Sequence, residues 1–290
     1  MPMSKLLIVA DIEDKCAATD RGLALAAEMD LKPEVVAFTY TDLKRLKVDS
    51  DTAANIKKQL LSERKASLEA RVASIAGEQH GIRIQVIWAE DIHNWIIKRA
   101  AKDCDVVVKS RHKSESFAHT STDWHLLREC PVPVLLVSKK RWKRGSQVMA
   151  TIDLGTSSRV KQKLNRDVVL TARHYAEMLS AELKVLCVID VPAVLAELDL
   201  IDPRTWAEEQ HKALEPKLIE FAELTGLPKS AFIFKRGPVG KTIVSEASRL
   251  NAQLVVMGTV GRKGVKAQLL GNTAEAALGL LRTDTLTLKP

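Results

Sequence analysis

The chain has 290 residues, 46% of them apolar and 28% charged, which is room for two domains of ordinary size and the make-up of a soluble globular protein. A net charge of +8, from 44 basic against 36 acidic residues, is modest for that length; it favours anionic ligands only weakly and gives no ground for nucleic-acid binding. No apolar run is long enough to insert in a membrane, the first five residues enter a strand with no signal peptide, and Cys16, Cys104, Cys130 and Cys187 are scattered without a C-x-x-C pair, which suits reduced thiols in a cytoplasmic protein.

In chain order, Lys5 to Asp11 is a continuous apolar strand ended by an acid, and Cys16 to Met29 follows as a helix with Ala18, Gly22, Leu25, Ala26 and Met29 on one face. Glu34 to Tyr40 is a strand. Thr52 to Ala76 is a long charged helix whose apolar side carries Ile56, Leu60, Leu61, Leu68, Val72 and Ile75, with Gly77 to end it. Ile82 to Trp88 is a strand, Asp91 to Lys102 a helix, Val106 to Val108 a strand, Lys109 to Ser121 a polar loop, Asp123 to Arg128 a helix and Pro133 to Val137 a strand. The order then restarts. Strands are expected at Val148 to Asp153, Leu183 to Asp190, Ala231 to Lys235, Leu254 to Met257 and Thr285 to Leu288. Helices are expected at Leu164 to Ser180, Thr205 to Thr225, Val239 to Leu250 and Thr273 to Leu281.

Five strands alternating with four helices, twice over, indicate an internal duplication. Each half is an α/β unit with a parallel, Rossmann-like sheet covered by helices on both faces. The polar, basic stretch from Ser138 to Ser146 separates a domain at residues 1–140 from one at 145–290. Ligands of such sheets sit at the carboxyl ends of the strands, which is where Asp11 and Asp153 fall.

The second domain carries a glycine-rich loop. The apolar strand stops at Gly258, Gly261 and Gly264 follow, and Gly271 precedes an Ala-rich helix, so backbone N–H groups and a helix N-terminus can face phosphate oxygens. It is not the dinucleotide fingerprint, since the G-x-G opening is missing. Gly240-Lys241-Thr242 mimics the end of a P-loop, but Lys235 stands where its first glycine should be; Gly237-Pro238 is a turn into a helix. No glycine occurs from Ile82 to Arg144, so the first domain lacks this cradle, and Lys109, Arg111, His112 and Lys113 make its corresponding loop cationic instead.

This duplicated pattern resembles the universal stress protein family in its tandem form. The resemblance rests on Met149 to Asp153, on Leu186 to Asp190, on Gly237-Pro238, and on Gly258-x-x-Gly261, nine intervening residues and then Gly271. Thr122 to Arg128 and Gly271 to Glu275 look like the family's E subgroup. The resemblance implies two tandem five-stranded domains, the first degenerate, and a stress-response regulator that binds ATP or a related adenine nucleotide, with or without Mg. By that analogy Asp153 and Val188 meet the adenine and its ribose, and Met257, Gly258, Gly261, Gly271, Asn272 and Thr273 hold ribose and phosphates. Asn272 stands where the family often has Ser, and Thr273 offers a hydroxyl one residue later. Family domains pair through their last strands, here Pro133 to Val137 with Thr285 to Leu288, or across a homodimer; the sequence names no protein partner. A slow ATPase, or a scaffold holding a lipid-like or nucleotide-sugar ligand in a cleft between the halves, are the other readings, and no paired carboxylates flank the loop, where Glu275 is the nearest acid.

Several residues carry simpler readings. His112, His119, His125 and Cys130 lack zinc-ligand spacing, and His125 is expected to pack with Trp124. Lys139 to Arg144 reads as a solvated linker rather than a nucleic-acid or lipid contact, Asp11 as a turn former, Cys187, Trp95 and Trp206 as packing, and Arg262, Lys263 and Lys266 as counter-charges for a triphosphate.

Overall fold

The computed structural model describes residues 5–11, 16–77, 81–111, 121–143, 145–260 and 271–290. The chain divides into two compact units, Met1–Lys139 and Lys140–Pro290.

In the first unit the elements run β1 (Lys5–Val9), α1 (Ala17–Glu28), β2 (Lys32–Thr39), α2 (Ser50–Ala76), β3 (Arg83–Trp88), α3 (Ile92–Asp103), β4 (Val106–Ser110), α4 (Thr122–Glu129) and β5 (Val134–Val137). The strands lie in the order β3-β2-β1-β4-β5, all parallel. The second unit repeats the plan with β6 (Gln147–Ile152), α5 (Arg159–Met178), β7 (Glu182–Ile189), α6 (Ala193–Glu197), α7 (Pro203–Thr225), β8 (Phe232–Arg236), α8 (Val239–Arg249), β9 (Ala252–Gly258), α9 (Asn272–Leu280) and β10 (Asp284–Leu288). Its order is β10-β9-β6-β7-β8, again parallel. Both units have the expected fold class.

The central strands read as unbroken apolar runs because helices cover both faces. Leu6, Leu7, Ile8, Val107, Val108 and Leu135 are fully buried in the first unit, as are Val148, Met149, Val185, Leu186, Leu254 and Val255 in the second. Each buried aliphatic side chain contributes roughly 1.5–3 kcal/mol. Helix starts follow their caps. Asp49 accepts the N–H groups of Asp51 and Thr52 to begin α2, and Asp202 accepts those of Arg204 and Thr205 ahead of Pro203 in the first turn of α7. Of the expected apolar side of α2, Leu68 and Val72 are buried, and Ile56, Leu60 and Leu61 remain half-buried.

The differences from the sequence reading have local causes. Helix α5 begins at Arg159, one turn ahead of the expected Leu164, because its first turn is charged and adds nothing to the apolar stripe. Strand β4 runs on through Lys109 and Ser110, which were expected in a loop; both are buried there. The short α6 was not expected. Trp142 is not simply solvated linker: its ring meets Tyr175 edge-on at 6.3 Å, and the Lys143 N–H donates to Gln253 Oε1 at 2.7 Å.

The register makes the duplication explicit. Val9 pairs with Lys109 and Thr151 pairs with Met257, in each case two residues before the strand-end Asp. Lys109 is therefore the counterpart of Met257, and Ser110 that of Gly258.

Candidate functional site

The reversal of strand order in the second unit falls between β6 and β9, and a cleft of about 670 Å³ opens at their carboxyl ends. That volume lies within the range of small-molecule sites, about 300–1,000 Å³. Six of the expected residues line it: Asp153, Val188, Met257, Gly258, Gly271 and Thr273. Gly261, Gly264, Arg262, Lys263 and Lys266 lie outside the described residues, and Asn272 enters only as the first residue of α9.

Asp153 follows β6, and its backbone is fixed by one buried amide. Asn165 on α5 donates Nδ2–H to the Asp153 carbonyl at 2.8 Å, and its Oδ1 accepts the Asp153 N–H at 3.3 Å. The Asp153 carboxylate remains half exposed at the cleft, with Lys161 Nζ 3.7 Å away. Its charge also bears on Cys187, whose thiol is pushed up to about 12, first by burial and then by Asp153. Cys187 is buried as expected and forms part of the cleft wall.

The glycine loop leaves β9 tightly. The Thr259 N–H donates to the Leu288 carbonyl at 2.8 Å, and the Thr259 hydroxyl donates to the same oxygen at 3.2 Å. Gly271 lies close to Val260, for a Cβ on Gly271 would stand 3.2 Å from the Val260 carbonyl oxygen. Gly271 is the N-cap of α9 and supplies no side-chain acceptor, so the first-turn N–H groups of α9 keep their donor capacity at the cleft. Gly258 has a packing role as well: a Cβ there would meet Leu164 Cδ2 at 2.6 Å. Gly240, in the P-loop mimic, is a helical residue on α8, where a Cβ would meet Ala276 Cβ of α9 at 2.7 Å. That glycine lets two helices touch. Gly237 takes φ +129°, which explains the turn before Pro238, the N-cap of α8.

The opposite wall was not foreseen. Trp206, Gln210 and Leu214 of α7 and Ile243 of α8 line the cleft. Trp206 was expected as packing alone; its indole N–H donates to the Asp190 carbonyl at 3.3 Å and sets the ring at the cleft's edge. The signal available in sequence was its place three residues after the N-terminus of a helix that follows a strand-end acid.

The first unit fills the corresponding positions with its own side chains. The Lys109 ammonium is buried and pairs with Asp123 Oδ1 at 2.7 Å, so it does not belong to a cationic loop. Ser110 Oγ accepts the Ala18 N–H at 2.9 Å at the start of α1. Arg111 donates its N–H to Val137, and His112 and Lys113 lie outside the described residues. For His125 the partner found is His93, and the expected packing on Trp124 is not what sets its ring. The two imidazoles stack with ring centres 3.8 Å apart, while Trp124 faces the Arg128 guanidinium. Trp95 packs edge-on against Phe38, as expected. Among the described residues no cluster of three metal-ligating groups occurs, and His112 and His119 lie outside them.

The model of the universal stress protein family matches residues 3–138 and 162–289. The chain belongs to the universal stress protein family, with two of its domains in tandem. It is 30% identical over 267 residues to universal stress protein E of Escherichia coli K12, covering 87% of this chain and 82% of that protein. Against the universal stress protein E homolog of Haemophilus influenzae it is 26% identical over 281 residues, covering 92% and 86%. Among solved structures, a protein of unknown function from Pseudomonas aeruginosa PAO1 matches with a TM-score of 0.73 at 23% identity, covering all of this chain and 93% of that one. A universal stress protein from Archaeoglobus fulgidus matches with a TM-score of 0.65 at 16% identity, covering 98% and 96%. Asp153 and β6 precede the second family match, so their equivalence to Asp11 and β1 rests on the strand register.

Proposed function

We propose that this protein is a cytoplasmic stress-response regulator whose second domain, residues 145–290, binds ATP or a related adenine nucleotide, while the first, residues 1–140, has lost that site. The carrying observation is the convergence of Asp153, Val188, Met257, Gly258, Gly271 and Thr273 on one cleft, at the N-terminus of a helix that has no side-chain cap. The cleft fits the ligand in kind. Its apolar side, from Val188, Leu214 and Ile243, suits a base, and its other side offers the N–H groups of α9 and the Lys161 ammonium to phosphates. In this reading Asp153 receives ribose or base donors, and Gly258, Gly261, Gly271, Asn272 and Thr273 surround the phosphates. Mg would arrive on the triphosphate with its waters.

Thermal unfolding with and without Mg-ATP tests the reading. ATP at about a hundred times its dissociation constant adds about 2.7 kcal/mol to the stability of the domain that binds it. Gly271→Asp places a carboxylate at the N-cap of α9, where it satisfies the helix itself and repels phosphate, so the variant should lose the shift while remaining folded. No shift in the wild type at saturating ATP overturns the assignment.

A further inference from the structure

The first domain holds a smaller cavity, of about 200 Å³, at the carboxyl end of β1, and the proposed nucleotide site makes no use of it. Asp11, Cys16 and Thr19 line one side; Arg64, Ser67 and Arg71 of α2 line the other. Cys16 is the N-cap of α1. Its sulfur accepts the Asp11 N–H at 3.1 Å and the Thr19 N–H at 3.4 Å, and Ser110 Oγ stands 3.9 Å away. That hydroxyl accepts from Ala18, which leaves its own proton for the sulfur. Three donors around one sulfur, at the positive end of a helix, form a cradle for negative charge that develops on it during reaction.

A second feature of the same cavity points to a ligand. Thr19 is fully buried, and its Oγ1 has no hydrogen-bond partner. The Nε of Arg71 is also buried without one, although another arm of that guanidinium reaches Asp20. An unpartnered buried hydroxyl is a standing cost that a small polar guest removes. The volume is too small for a nucleotide and sufficient for a molecule of a few atoms. The other thiols are differently placed. Burial pushes Cys104 up to about 11 and Cys187 up to about 12, Cys130 is fully enclosed, and none of the three lines this cavity.

We propose that Cys16 is a peroxide-reactive thiol and that this cavity admits hydrogen peroxide, or a hydroperoxide of similar size, to its sulfur. The sulfur attacks one peroxide oxygen. An S–O bond forms as the O–O bond breaks, sulfur is oxidised by two electrons to a sulfenic acid, and the peroxide is reduced. The departing hydroxide, or the alkoxide of a hydroperoxide, takes up the proton released by the thiol and leaves as water or as the alcohol. The Thr19 hydroxyl and the guanidinium groups of Arg64 and Arg71 supply donors to peroxide oxygens in the same cavity.

The full chain is treated with hydrogen peroxide in the presence of dimedone, which traps sulfenic acids, and the adducts are mapped by peptide mass spectrometry over time. In the folded protein Cys16 should gain adduct about tenfold faster than Cys104, Cys130 or Cys187, and in denaturant the four should react at similar rates. Thr19→Val, which removes only the unpartnered hydroxyl and keeps the side-chain shape, should slow Cys16 about threefold or more with no fall in melting temperature. Equal labelling of the four cysteines in the folded chain, or no Cys16 adduct, overturns the proposal; an unchanged rate in the folded Thr19→Val variant overturns the part given to the cavity.

Discussion

Both ends of the Asn165 amide are used on the backbone of Asp153, and the residue is only 9% exposed. Asn165→Leu preserves volume and removes both bonds, leaving a half-buried N–H and C=O to find water. The second domain should lose about 2 kcal/mol in urea unfolding, and ATP affinity should fall with it as Asp153 shifts. A loss of stability with unchanged affinity would separate Asp153 from the ligand. Gly258 bears a different constraint. Gly258→Ala drives a Cβ into Leu164, with Cδ2 at 2.6 Å and Cγ at 2.8 Å, and should cost about 1–3 kcal/mol. In the background of Leu164→Ala the same change should cost little. If both backgrounds lose equally, the glycine is required by the backbone and not by the contact.

At the scale of elements, the Lys109–Asp123 pair ties β4 to α4 with both side chains buried. Lys109→Met removes the buried ammonium from this pair and should destabilise the first domain by about 3 kcal/mol, measured by urea unfolding. A second ionic tie, on α3, is exposed and responds to pH. The Lys5 ammonium and then the Arg99 guanidinium hold the Asp103 carboxyl down at about 2, from an ordinary 3.8. A depressed carboxylate stabilises the fold above its unfolded pKa and loses that contribution as pH falls from about 4 toward 2. Asp103→Asn should flatten this part of the acid-stability curve. The half-exposed position of Asp103 keeps the effect small.

These elements also show what was legible in advance. Continuous apolar strands and strand-end acids announced the sheet, since burial on both faces writes itself directly into composition. The extension of β4 through Lys109 and Ser110 was hidden, because a buried lysine looks like a loop until its partner is known, and Asp123 lies outside its immediate neighbourhood. The cleft's glycines and Asp153 could be placed by pattern. Asn165, Lys161 and Trp206 could not: they reach the cleft from helix faces, and a helix face becomes a wall only once the crossing of helix over sheet is fixed.

For the whole molecule, the two domains share a plan and differ at one edge. Titration calorimetry of the full chain with ATP should therefore give one site per chain. Hydrogen exchange should slow on nucleotide addition in β6, β9 and α9, and stay the same in β1, β4 and α4. Two equivalent sites would overturn the division of labour. The internal closure of the first domain also bears on how the chain is made. Ser110 caps α1 and Lys109 meets Asp123 with groups already present in the first half of the polypeptide. During translation that half emerges first and can complete its own structure from the moment Val137 clears the ribosome. The second half, in the reading given above, reaches its full stability only where nucleotide is plentiful. In a starved cell, newly made chains would then carry a finished first domain beside a second that quality-control proteases can still inspect, and the lifetime of the protein would follow the energy supply through one half alone.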